Sequence, residues 1–165
     1  MKDLKELMLR TPRLTLAAAE SMTCGRVQAR IGEISGASEF FLGGVTTYTI
    51  DEKVRHLGVS RAEARHVNCV SAGIVEQMAQ GVCALFRSDI GVATTGYAEP
   101  DAALDVKSPF AWWAVAHRKS RGSGRFVRIA TGRIECPGAS RVEAQVIVAE
   151  AVVGELVAYL WELRE

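Results

Sequence analysis

The chain is poor in cysteine, proline and aromatic residues, and it lacks any long apolar run. Its four cysteines, Cys24, Cys69, Cys83 and Cys136, are scattered, with no CxxC pair and no metal-ligand spacing. That argues against a disulfide-stapled fold and gives no support for a metal site, so reduced thiols in a cytoplasm are the expectation, with no metal or other cofactor. No stretch approaches the ~18 apolar residues that a membrane-spanning helix needs. The longest candidate, Val146 to Leu160, is interrupted by Glu150 and Glu155. Met1 to Arg10 is charged and amphipathic, without the apolar centre of a signal peptide. An excess of one charge is missing too: 20 basic and 19 acidic side chains leave a formal net charge of +1, which gives no basic stripe for nucleic acid. The densest basic stretch, Arg118, Lys119, Arg121, Arg125 and Arg128, reads as a solvated loop and strand edge. No repeat, low-complexity tract or linker divides the chain.

What is present suits one globular domain over residues 1–165, with 1–12 as an N-terminal helical extension: 48% of residues are apolar and 24% charged. Leu14 to Glu20 (LTLAAAE) is a short apolar run that suits a buried strand. Val27, Ile31 and Ile34 have helical spacing over Gly25 to Ile34. Phe40 to Thr49 is rich in β-branched and aromatic residues, and its paired Gly43 and Gly44 predict a bulge or a close backbone approach. Asp51 is placed to cap a short helix that Gly58 stops. A second short helix starts near Ser60, and Ser71 caps a longer one through about Phe86, with Cys83 on its apolar face. Ile90 to Thr95, Phe110 to Ala116 and Arg125 to Thr131 read as strands. Ser140 to Leu163 reads as a long helix with Val146, Val153, Leu156, Val157 and Leu160 as its buried stripe. Helices alternating with strands, then two adjacent strands, predict an α/β fold with a mixed sheet covered on both faces.

Ligands of such sheets gather at the carboxyl ends of strands. Three polar segments fall there: Glu20 to Thr23, Tyr48 to Lys53, and Thr94 to Gly96. Ser21 stands where an apolar strand meets a glycine-containing turn into a helix, so its hydroxyl is either presented to a ligand or, with Thr23, an N-cap. A serine nucleophile needs a base, which a lysine supplies if its pKa is lowered by burial. Tyr48 could relay or orient that proton. By sequence alone a lysine at the Lys53 position is more often an exposed residue of a short helix. His56, His66 and His117 have no partner at metal or triad spacing.

The string Ala19-Glu20-Ser21-Met22-Thr23-Cys24-Gly25 resembles the AESxTGG-like signature of the CinA C-terminal-domain family, whose members include nicotinamide-nucleotide amidohydrolases. Phe41 to Tyr48 with Lys53 is similar to that family's GGxVTYxxxxK segment, Cys69-Val70-Ser71 to its AVS helix start, and Thr95-Gly96-Tyr97-Ala98-Glu99-Pro100 to its TGIAGP loop. The four motifs occur in order, and the similarity runs from about residue 14 to 160. The resemblance implies a three-layer α/β/α sandwich with a mixed, mostly parallel sheet, often a homodimer. It implies hydrolysis of the carboxamide of nicotinamide mononucleotide or a related nucleotide-like small molecule, without a metal. Ser21 would be the nucleophile, Lys53 its general base and Tyr48 an assistant to that transfer. Amides around Thr23 to Gly25 would bind the oxyanion, and Thr23, Cys24, Gly25, Thr95, Gly96 and Arg141 would contact substrate. Arg141 reads either as a phosphate ligand or as a surface arginine.

Three departures bear on activity. Cys24 and Glu99 replace family glycines, and Phe110 replaces another and is placed to fill substrate space. A retained set of chemical residues beside a rebuilt pocket predicts altered substrate choice or lost activity. The readings carried forward are a CinA-like amidohydrolase and, as the alternative, a catalytically degenerate CinA-like ligand-binding or interaction module. Nucleic-acid binding through Arg118 to Arg128 is a third reading that rests on charge alone.

Overall fold

The first strand decides how the layers assemble. The computed structural model describes residues 2–119 and 124–165, and in it β1 (Leu16–Glu20) is buried at every position. Side chains alternate across a strand, so Leu16 and Ala18 enter one core while Ala17 and Ala19 enter the other. Alanines keep both faces shallow, which lets helices pack close on either side.

The remaining elements follow in order: α1 (Lys2–Leu9) before β1, then α2 (Arg26–Gly32), β2 (Phe41–Thr46), α3 (Ile50–Leu57), α4 (Arg61–His66), α5 (Ala72–Phe86), β3 (Ile90–Tyr97), β4 (Phe110–Arg118), β5 (Phe126–Glu135) and α6 (Arg141–Arg164). The sheet order is β2-β1-β3-β4-β5. β1 pairs in parallel with β2 and β3, β3 pairs antiparallel with β4, and β4 antiparallel with β5. β4 alone therefore runs against the other strands, and the sheet is mixed and mostly parallel as expected. α1, α2 and α6 cover one face, through Leu4, Leu7, Val27, Ile31, Val152 and Leu156. α3, α4 and α5 cover the other, through Leu57, Ala64, Ile74, Met78 and Val82. The N-terminal helix is part of the core, with Leu4, Leu7 and Met8 fully buried.

Several local expectations are refined. Thr49, not Asp51, caps α3, because its hydroxyl reaches the Glu52 amide; Asp51 instead pairs with Arg61. Gly58 ends that helix in the left-handed region, and Ser60, Ser71 and Ser140 cap α4, α5 and α6. The register slips between Leu16 and Ala17, so that Leu42 is skipped and Gly43 faces Ala17. A Cβ on Gly44 would lie 2.5 Å from the Ala18 carbonyl oxygen, so the second glycine permits the close approach of β2 to β1. Val146 is not in the buried stripe of α6; it is 42% exposed, and Val148, Ala149 and Val152 take the inward positions. Cys83 is buried as expected. Within the basic stretch, Arg118 is buried beneath Phe126, and Arg128 pairs with Glu162. Arg121 lies outside the described residues. No helix among the described residues is long and apolar enough to cross a membrane.

Candidate active site

β1 ends in Glu20, a carboxylate that is fully buried. One of its oxygens accepts from the Thr23 hydroxyl at 2.6 Å and from the amides of Gly25 and Val27 at 2.9 and 3.1 Å. The other accepts from the Gln28 amide at 2.8 Å. A negative charge on the exposed amides of a helix start is favourable both as hydrogen-bond acceptor and against the helix dipole. Glu20 thus does the capping that the sequence reading gave to Ser21 or Thr23. Thr23 is buried between Glu20 and the Thr94 hydroxyl, 2.8 Å away. The signal that was legible but unread is a glutamate closing an otherwise all-apolar strand, directly before a helix start.

With capping done by its neighbour, the Ser21 hydroxyl is available. The tight turn after β1 aims it at α3, where Lys53 Nζ lies 2.9 Å from Ser21 Oγ. The lysine reaches there because β2 carries the chain alongside β1, and the first turn of α3 folds back over the strand ends. Lys53 is only 2% exposed. Removal from water penalises its charged form and pulls its pKa below the ordinary lysine value, opposed by the neighbouring Cys69 thiol. The same burial raises the Cys69 pKa, so that neighbour favours its neutral form. A lysine held towards neutrality within hydrogen-bond reach of a serine hydroxyl is chemically able to take that hydroxyl's proton.

Tyr48 takes another place than the relay position. Its side chain is 51% exposed and its hydroxyl accepts from Arg141 at 2.6 Å. Lys53 meets only the Tyr48 carbonyl oxygen, at 3.4 Å. The tyrosine hydroxyl does not lie between serine and lysine, whose contact is direct.

Ser21, Tyr48, Lys53, Thr95, Gly96 and Arg141 all border one cleft of about 380 Å³, together with Met22, Asn68, Cys69 and the segment Tyr97 to Asp101. That volume matches a small-molecule ligand. Thr95 donates to the Cys69 carbonyl at 2.7 Å, tying the β3 end to the loop before α5. A Cβ on Gly96 would sit 2.2 Å from the Phe110 carbonyl oxygen, so this glycine serves the β3–β4 approach. Thr23, Cys24 and Gly25 do not border the cleft. The Cys24 amide donates to the Ser21 carbonyl at 3.2 Å and that of Gly25 to Glu20, so neither is free to hold an oxyanion. The amides of Met22 and Thr23 are not among the donors that the turn uses. Among the described residues no group of His, Cys, Asp or Glu is arranged to hold a metal ion.

A family model for the CinA C-terminal domain matches residues 2–139. The chain belongs to the CinA C-terminal domain family. It is 44% identical over 97 residues to a protein of Streptococcus equi subsp. equi named as competence-damage inducible, covering 59% of this chain and 23% of that one. A similarly named protein of Streptococcus thermophilus is 33% identical over 141 residues, covering 86% of this chain and 33% of its own. The CinA domain described here thus spans between about a fifth and a third of the length of the curated relatives it matches. In three dimensions it superposes on a CinA superfamily protein of Enterobacter cloacae with a TM-score of 0.82 at 22% identity, over 96% of this chain and 89% of the other. A competence/damage inducible protein of Agrobacterium tumefaciens superposes with a TM-score of 0.79 at 25% identity, over 94% of each chain.

Within this CinA domain, the residues that depart from the family pattern have distinct surroundings. Cys24 is exposed with φ at 52°, in the left-handed region where the family's glycine is at ease. Phe110 does not enter the cleft; its ring packs edge-on to Tyr97 at 5.6 Å and carries the Arg133 guanidinium at 3.7 Å. Substrate space is not filled by it, because β4 turns that side chain towards β5. Glu99 does stand at the cleft, and its carboxylate pairs with Arg141.

Proposed function

We propose that this CinA domain hydrolyses the carboxamide of nicotinamide mononucleotide or a related compound by a serine–lysine mechanism. The observation that supports the reading is the 2.9 Å contact between Ser21 Oγ and a lysine amine that is almost wholly removed from water. Neutral Lys53 takes the Ser21 proton as the serine oxygen adds to the amide carbon. The resulting oxyanion faces the amide of Met22, the residue that follows the nucleophile and borders the cleft. The tetrahedral species collapses as the Lys53 ammonium gives its proton to the amide nitrogen, and ammonia leaves an acyl-serine ester. Water then adds to that ester with Lys53 again accepting a proton, and the carboxylate product departs with the serine restored. Amide and water are consumed, and acid and ammonia are formed, without change of oxidation state.

The test is ammonia release from nicotinamide mononucleotide and nicotinamide riboside by the purified protein, compared with Ser21→Ala and Lys53→Ala. The expected result is release by the parent protein that both substitutions abolish. Equal rates in all three proteins, or no release in any, would overturn the catalytic reading. Ligand binding without turnover would then mark a CinA-like binding module, the alternative that Glu99 at the cleft favours.

A further inference from the structure

Arg141 is the first residue of α6, and its guanidinium reaches back to the cleft that holds Ser21 and Lys53. An arginine there would be a natural partner for an anionic substituent, since it presents a planar fork of donors beside a helix start. In this chain two of its donors are already engaged. One nitrogen pairs with the Glu99 carboxylate, and another donates to the Tyr48 hydroxyl at 2.6 Å. The start of α6 is likewise occupied by a carboxylate, as Glu143 accepts from the Ser140 amide at 2.8 Å and from its hydroxyl at 2.6 Å. The protein has built its own carboxylates into the places where a ligand anion would bind.

The charges around the cleft point the same way. Its charged lining residues are Lys53, Glu99, Asp101 and Arg141. Glu99 and Asp101 line the cleft from one short loop, and Arg141 is the guanidinium among its lining residues. Asp101 is held in place, because its carboxylate accepts from the amides of Ala103 and Leu104 at 2.9 and 3.3 Å. Rotation of Glu99 would open Arg141, and an exposed pair of this kind is weak enough to open. The displaced carboxylate would nevertheless stay on the same short loop, so an incoming phosphate dianion would meet Glu99 and Asp101 beside that guanidinium.

We propose that Glu99 is an internal counterion for Arg141 and makes this site select a carboxamide that carries no phosphate, a neutral or cationic molecule such as an unphosphorylated N-substituted pyridinium. The proposal rests on the amidohydrolase reading and narrows its substrate class. It assigns Glu99 as a specificity-determining residue.

Two measurements test it. The first compares kcat/KM for ammonia release from nicotinamide riboside and from its 5′-phosphate. The parent protein is expected to favour the riboside by about tenfold or more, and Glu99→Gln to shift the ratio towards the phosphate by about tenfold, chiefly through KM, as removal of one nearby charge implies. A parent preference for the phosphate, or a ratio unmoved by Glu99→Gln, overturns the proposal. The second needs no turnover: calorimetric titration with ribose 5-phosphate. Binding is expected for Glu99→Gln, absent from the parent protein, and absent again when Arg141→Gln is added. Tight phosphate binding by the parent, or none by Glu99→Gln, refutes the counterion role even if no ammonia is ever released. Loss of Ser21-dependent turnover with the expected titrations would fault the amidohydrolase reading alone.

Discussion

Lys53 Nζ and Ser21 Oγ, 32 positions apart in the chain, stand 2.9 Å from each other at one rim of the sheet. The contact joins the turn after β1 to the helix after β2, and the parallel pairing of those two strands is what brings it about. A base in this position works only when unprotonated, and burial has already moved Lys53 in that direction. We therefore expect kcat/KM for carboxamide hydrolysis to rise with pH through the lowered Lys53 pKa and to level off before the ordinary lysine range. Initial-rate measurements across pH would locate that limb. A limb at the ordinary lysine value would show that the amine is not desolvated in solution.

The same burial has a consequence for stability. A lysine whose folded pKa is below its unfolded one binds fewer protons when folded, between the two values. Unfolding free energy should accordingly increase with pH across that window, through the contribution of this residue. Lys53→Met, which keeps the stem and removes the amine, is expected to lose that increase and to be at least as stable as the parent below the window. Denaturant titrations of the two proteins at several pH values would compare the slopes, and identical slopes would count against a buried, neutral amine.

Tyr48 binds Arg141 and not the serine–lysine pair. Tyr48→Phe is therefore expected to lower kcat by less than about tenfold, the order of effect for losing one partly exposed hydrogen bond. Its main change should be in KM. Steady-state kinetics separate the two, and a kcat loss near that of Ser21→Ala would place the tyrosine hydroxyl in the proton path after all.

Cys24 holds a left-handed backbone, with φ at 52°, that a side chain resists. It is exposed, so its replacement gives up little packing. Cys24→Gly should stabilise the fold by about 1 kcal/mol, the usual penalty for an L-residue in that region. Thermal unfolding of both proteins would read this directly. A destabilised variant would mean that the cysteine makes a contribution beyond its backbone.

Much of the element order was legible because it depends on local chemistry. Apolar runs of strand length, serines before periodic stretches and Gly58 after one marked the strands and helices to within a few residues. Errors fell where two local candidates competed. Thr49 and Asp51 both suit a cap, and only the path of β2 into α3 puts Thr49 at the junction. Val146 has the right spacing for a buried stripe, but α6 is rolled so that Val148 and Ala149 face the sheet. Ser21 and Thr23 are good capping residues, yet neither caps α2, because the Glu20 carboxylate reaches its amides first.

By itself the sequence determined the alternation of strands and helices, and with it a sheet covered on both faces, since periodicity and strand-length apolar runs are properties of neighbours along the chain. It also carried the motifs of the CinA C-terminal domain. Tertiary structure alone decided that a lysine on α3 would be dry and within reach of a serine on the turn after β1, that Tyr48 would turn away to Arg141, and that Glu99 would reach that same guanidinium. The physical reason is that burial and pairing of side chains distant in sequence are set by which strands lie side by side, and no local pattern of residues contains that information.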